Sequence, residues 1–188
     1  MRGAATPADI EVRLNHFYKV PSWNPKDPGF IVPYEGFRGY IVKNIFELKN
    51  AIRVLLEGNR LEYSWGGYTQ SGYAILLTPR GGWARVEDIT LRYNYISHVG
   101  NGFQLKATRS CSPSKSDPSQ CKNGSGPVLD SKSAARWSLH DLLVDDVNAK
   151  YYLGGGSMAS IPLARRVPSH ERLYRVSFSE RRGLVFSL

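Results

Sequence analysis

The sequence predicts an all-β chain, and within that class a right-handed parallel β-helix that is incomplete and carries long loops. Three observations lead there. Four segments repeat one pattern, in which alternating apolar residues run into an asparagine. The spacing between copies is uneven, which helical repeat families do not tolerate but stacked strands joined by variable loops do. The 18 glycines and 11 prolines fall between apolar runs rather than inside them, which suits short strands joined by turns.

The first copy is Ile10-Glu11-Val12-Arg13-Leu14-Asn15-His16-Phe17, the second Val54 to Leu61 and the third Ile89 to Ile96. A weaker fourth, Trp137 to Val144, has Leu142 where the others have asparagine. In each copy the first and third residues are apolar, and a period of two sends them to one side of a strand. Asparagine bonds nearby backbone and accepts left-handed dihedrals, so a bend is expected at Asn15, Asn59 and Asn94. Stacking would then align these asparagines in a ladder and Val12, Leu56, Leu91 and Leu139 in an aliphatic column. Further strands are predicted at Tyr40–Val42, Ala74–Leu77 and Gly102–Leu105. A two-sheet sandwich is the competing fold, but it does not require asparagine at one repeated position.

Two turn-rich stretches interrupt the copies. Pro21 to Gly29 is the first. The second, 110–132, is rich in Ser, Lys, Pro and Gly, and is predicted to be a flexible insertion outside the repeats. Cys111 and Cys121 fall in it; a disulfide there would stabilise the loop by roughly 2 to 3 kcal/mol, and two free thiols are the alternative. Beyond Gly154 the pattern fades, with strands expected at Leu173–Phe178 and Leu184–Phe186. At 188 residues and 41% hydrophobic, the chain can fill the core of a single domain over 1–188, with 154–188 the less regular end.

With 25 Lys and Arg against 16 Asp and Glu, the net charge is +9, which favours polyanionic partners. The basic residues are scattered, with no dense run or zinc-finger spacing, so nucleic acid is not expected. No run approaches the length of a membrane span, and residues 1–7 lack the apolar core of a signal peptide. No Cys and His cluster has zinc-site spacing, and no metal or cofactor is expected.

The segment Val42 to Asn59, with its most specific motif from about Phe46 to Asn59, resembles bacterial right-handed parallel β-helix repeat proteins of the pectin-lyase-like superfamily. So do Trp65, Gly72 to Arg80 and Trp83 to Gly102, and the resemblance runs from about Ile10 to about Tyr152. Members are usually longer, and neither end here shows a polar cap, so the chain is expected to be a fragment. The resemblance implies an extracellular or cell-envelope location for the intact protein. It implies little chemistry, because one fold hosts many functions.

Characterised members of that superfamily include polysaccharide lyases and glycoside hydrolases. Hydrolysis needs two carboxyls about 5 to 9.5 Å apart on one surface. The adjacent pairs Glu87-Asp88 and Asp145-Asp146, if in strands, would point to opposite faces. A lyase needs a base and positive charge, often calcium. The outward column Arg13, Glu57, Arg92 and His140 offers one acid, Glu57, beside Arg92. A salt-bridge ladder is the plainer account of that column. His16 and His98 lie beside turns without acidic neighbours in sequence. The other reading is a non-catalytic module binding acidic polysaccharide, in which loop aromatics stack on sugars and cations meet carboxylates. Its candidate residues are Trp65, Tyr68, Arg80 and Trp83, and packing of these loops onto the core is their alternative role. Enzyme activity stays open, with lyase or hydrolase as its class.

Overall fold

The computed structural model describes residues 5–37, 39–67, 70–80, 84–106, 108–111, 126–129 and 134–161, with side chains throughout except in 108–111 and 126–129. The chain is largely β. Its strands follow a fixed sequence. β1 (Ala8–Arg13) and β2 (His16–Tyr18) are followed, after a long loop, by β3 (Phe46–Leu48). β4 (Ala51–Glu57) and β5 (Arg60–Ser64) lead through the two-residue strands β6 (Gly66–Gly67) and β7 (Gln70–Ser71) to β8 (Tyr73–Leu77). β9 (Val86–Arg92), β10 (Tyr95–Val99) and β11 (Asn101–Leu105) come next, then the pair β12 (Thr108–Cys111) and β13 (Gly126–Leu129). β14 (Ala134–His140) and β15 (Leu143–Val144) precede the single-turn helix α1 (Ala149–Tyr152) and β16 (Ala159–Ser160).

Three four-stranded sheets result, ordered β1-β4-β9-β14, β2-β5-β10-β15 and β3-β8-β11-β16. Every neighbouring pair in them is parallel. The chain therefore visits the three sheets in turn, four times over, and each visit lays a strand beside its predecessor. β12 and β13 pair antiparallel with each other, so this part of the 110–132 insertion is a hairpin outside the three sheets. The side chains of Cys111 and Cys121, the predicted strands Leu173–Phe178 and Leu184–Phe186, and the rest of that insertion lie outside the described residues. Tyr40–Val42 is not a strand; the third sheet takes Phe46–Leu48 from this stretch instead. Phe46 and Leu48 are the residues that pack on the core, whereas Tyr40 and Ile41 are exposed.

The core lies where the inward faces of the sheets meet. Val12, Leu56, Leu91 and Leu139 occupy one register position of the first sheet, and Ile10, Val54, Ile89 and Trp137 another. Phe17, Leu61, Ile96 and Val144 stack in the second sheet, and Phe46, Ile75 and Phe103 in the third. All belong to one cluster, in which the middle copies are fully buried and those of β1 partly so.

Asn15, Asn59 and Asn94 align at the bend between the first and second sheets. Asn94 Oδ1 accepts from the backbone N–H of Asn59 at 2.9 Å and from its Nδ2 at 3.0 Å. Asn59 Oδ1 receives Asn15 in the same way, at 2.9 and 3.2 Å. Each Nδ2 also donates to the carbonyl two residues back, on Arg13, Glu57 or Arg92. The left-handed dihedral, however, falls one residue before the asparagine, on Leu14, Gly58, Tyr93 and Asp141. The amide thus works as a hydrogen-bonding plug, and the residue before it makes the turn, which is why Leu142 can replace asparagine in the fourth copy without removing the bend.

Candidate functional site

A second set of left-handed residues explains the outer face of the first sheet. Asp9, Arg53, Asp88 and Arg136 all have φ between 53° and 60°. They share one register position. The turned backbone inserts an additional outward residue between inward positions three apart, breaking strict alternation. Arg53 grips Asp9 through Nε at 2.6 Å and Nη2 at 2.8 Å. Arg136 pairs with Asp88 through Nε and, at 2.8 Å, through Nη2. The expectation that Glu87 and Asp88 point apart is therefore wrong, because Arg136 Nη2 also reaches Glu87 Oε2 at 3.1 Å. Arg85 holds the same Glu87 carboxylate at 2.9 and 2.8 Å. These arginines keep the carboxyls below their ordinary range: Arg85 is the chief cause at Glu87, and Arg136 at Asp88.

The parallel column Arg13, Glu57, Arg92 and His140 also stacks in register. Arg13 Nη1 donates to Glu57 Oε1 at 3.0 Å, and Arg92 Nε donates to Oε2. Both oxygens of Glu57 are engaged, the geometry of an ion-pair ladder. Among the described residues no group of three or more His, Cys, Asp or Glu side chains is placed to hold a metal ion, and no helix is long and apolar enough to cross a membrane.

Stacking gives the histidines the acidic neighbours that sequence order hid. Glu62, with 3% of its side chain exposed, lies 2.7 Å from His16 Nε2. It also accepts from Arg60 at 2.6 Å and from Ser97 Oγ at 2.9 Å. Burial pushes this carboxyl up, but the bonds from Arg60, Ser97 and His16 outweigh it and hold the group below its usual value. His98 stacks on Tyr63 with centroids 4.7 Å apart and stands 3.9 Å from Asp146. Tyr152 donates to Asp146 at 2.9 Å; burial, then that bond, pushes its phenol up.

On the outer face of the third sheet, Glu47, Leu76, Gln104 and Ser160 form one register column. A trough of about 320 Å³ lies over it, with Lys43, Lys49 and Arg80 in its lining beside Gln104 and Tyr73. Lys49 pairs with Glu47 at 3.0 Å. Lys43 and Arg80 are exposed and have no carboxylate partner among the described residues. Three cations against one acid leave the trough positive.

Of the residues singled out in the sequence, Arg80 is thus in an open cationic trough. Trp65 is not beside it. Its side chain is buried, with 2% exposure, and lines a different cavity with Tyr63, Tyr151 and Tyr152. An indole so enclosed does not offer an open sugar-stacking platform, and its burial fits the alternative role of packing onto the core. Tyr68 and Trp83 lie outside the described residues. Lys43, Lys49 and Gln104 went unnoticed because they come from separate segments that only the register aligns; the apolar-polar-apolar trio Phe46-Glu47-Leu48 was the available signal. No family model, curated protein or solved structure matches the chain.

Proposed function

We propose that the chain is part of a right-handed parallel β-helix of the pectin-lyase-like kind, and that its third-sheet trough binds acidic polysaccharide outside the cell or at its envelope. Four successive passes through three parallel sheets support the winding, and parallel crossovers are right-handed in nearly all known cases. The observation that carries the binding reading is the cationic trough itself. Lys43 and Arg80 are free to meet carboxylates, and Gln104 and Asn44 in the same lining can bond hydroxyls. Strands spaced about 4.8 Å apart give a linear polymer a regular surface to follow. The module acts without catalysis in this reading, and a lyase or glycoside hydrolase using Glu57 and Arg92, with calcium in the lyase case, is the alternative.

Titration of a fluorescent oligogalacturonate tests both. Binding should weaken steeply with salt, because exposed charges separated by more than the Debye length are screened. Arg80→Gln and Lys43→Gln should each reduce affinity roughly fivefold, the size of one exposed charge contact. Equal binding by both variants and the parent would overturn the trough as the site. Incubation of the parent with pectate or alginate, with and without calcium, should give no unsaturated product; steady growth of its absorbance would make the protein a lyase.

A further inference from the structure

A second cavity, of about 150 Å³ and sharing no lining residue with the trough, lies between the loop at residues 21–28 and helix α1. Its walls are Tyr63, Trp65, Tyr151 and Tyr152 with Pro21 and Pro28. The walls are held in place before any ligand arrives. Asn24, itself buried, donates from Nδ2 to the Tyr151 carbonyl at 3.0 Å and accepts from Lys26 N–H at 3.1 Å, tying the loop to α1. Asn148 caps α1 by accepting from Lys150 N–H at 2.9 Å, and Tyr152 is fixed by its bond to Asp146. Preorganised walls avoid the ordering cost that usually weakens small-ligand binding.

The contents of the wall define the ligand. An apolar cavity of about this size holds one six-membered ring. Aromatic faces suit the C–H face of a sugar, while the polar atoms of Asn24, Lys26 and Asp27 suit its hydroxyls. Among the described residues, Lys26 and Asp27 are the charged groups in the lining and they cancel, in contrast to the positive trough on the third sheet. Trp65 Nε1 is also one of two buried side-chain polar atoms without a hydrogen-bond partner among the described residues. We propose that this aromatic pocket between the 21–28 loop and α1 binds a single neutral pyranose ring, its C–H face against the tyrosine rings and its hydroxyls toward Lys26 and Asp27.

The site is independent of the cationic trough, and the test separates them. The indole N–H signals of the ¹⁵N-labelled chain are followed by NMR while methyl α-D-glucopyranoside, methyl α-D-galactopyranoside or sodium galacturonate is added, with Trp65→Phe assigning the signal. A saturable shift of the Trp65 signal with at least one neutral glycoside is expected, unchanged by Arg80→Gln. Tyr151→Ala, at a half-exposed wall residue, should weaken it about tenfold, and Pro28→Phe, which fills the pocket from its loop, should abolish it. The proposal is overturned if no neutral glycoside shifts the signal, if galacturonate alone does so, or if both variants respond like the parent.

Discussion

At the scale of single residues, one amide does several jobs at each bend. Asn94, itself buried, accepts two bonds from Asn59 and donates to the carbonyls of Leu56 at 2.8 Å and, in a part-buried bond, of Arg92 at 3.0 Å. Alanine there would strip the partner from several buried groups at once, and each such loss costs roughly 1 to 3 kcal/mol. Asn94→Ala should therefore destabilise the chain by about 3 kcal/mol or more. Asn15→Ala, at the end of the ladder where the side chain is exposed, should cost about 1 kcal/mol. Urea unfolding of the two variants checks the difference, and equal losses would mean that the ladder is not a continuous buried feature. The residue before each asparagine obeys other rules. Leu14 is 85% exposed and Tyr93 also faces solvent, so their left-handed backbone is set by the turn rather than by side-chain packing.

At the scale of strands, the outer faces are charge ladders whose alternation, Asp9, Arg53, Asp88, Arg136, no local reading of the sequence displays. The signal needs the register, because the four residues are separated by loops of unequal length. The inner faces were legible: two apolar positions per copy and the asparagine fix the first-sheet columns, since an inward residue must be apolar whatever its neighbours are. The third strand of the first copy was misplaced because Tyr40-Ile41-Val42 is as apolar as a strand, although only Val42 of the three is buried. The ladders predict an acid response. Glu62, Glu87 and Asp88 are held below their ordinary range, so the stability they contribute is present above that range and lost as pH falls through their lowered values. Unfolding free energy should be flat near neutrality and drop below about pH 4. Glu87→Gln should start lower at neutral pH and fall less on acidification; a slope equal to that of the parent would remove Glu87 from the ladder's account.

At the scale of the whole molecule, the all-β class was readable in the sequence, while the grouping of side chains on the outer faces was not. Arg80, a candidate taken from the loops, lies exposed in the trough, but its companions Lys43 and Lys49 and the amide of Gln104 come from other segments of the chain. Trp65 was chosen as a loop aromatic, and the loop at 21–28 with α1 closes over it. Both outcomes follow from the same cause: stacking decides which side chains share a face, and stacking is set by non-local register. The central claim is that register. Leu55, Thr90 and Ser138 occupy one outward position on β4, β9 and β14. Neighbouring strands about 4.8 Å apart bring such positions within the Cα separation of about 4.4 to 6.8 Å that a disulfide needs. On a Cys111→Ser, Cys121→Ser background, the pairs Leu55→Cys with Thr90→Cys and Thr90→Cys with Ser138→Cys should oxidise to intramolecular disulfides seen by mass spectrometry, with the native circular dichroism retained. The shifted pair Leu55→Cys with Arg92→Cys should stay reduced. Oxidation of the shifted pair in preference to the aligned ones, or of none, would contradict the stacked register on which the core, the ladders and the trough all depend.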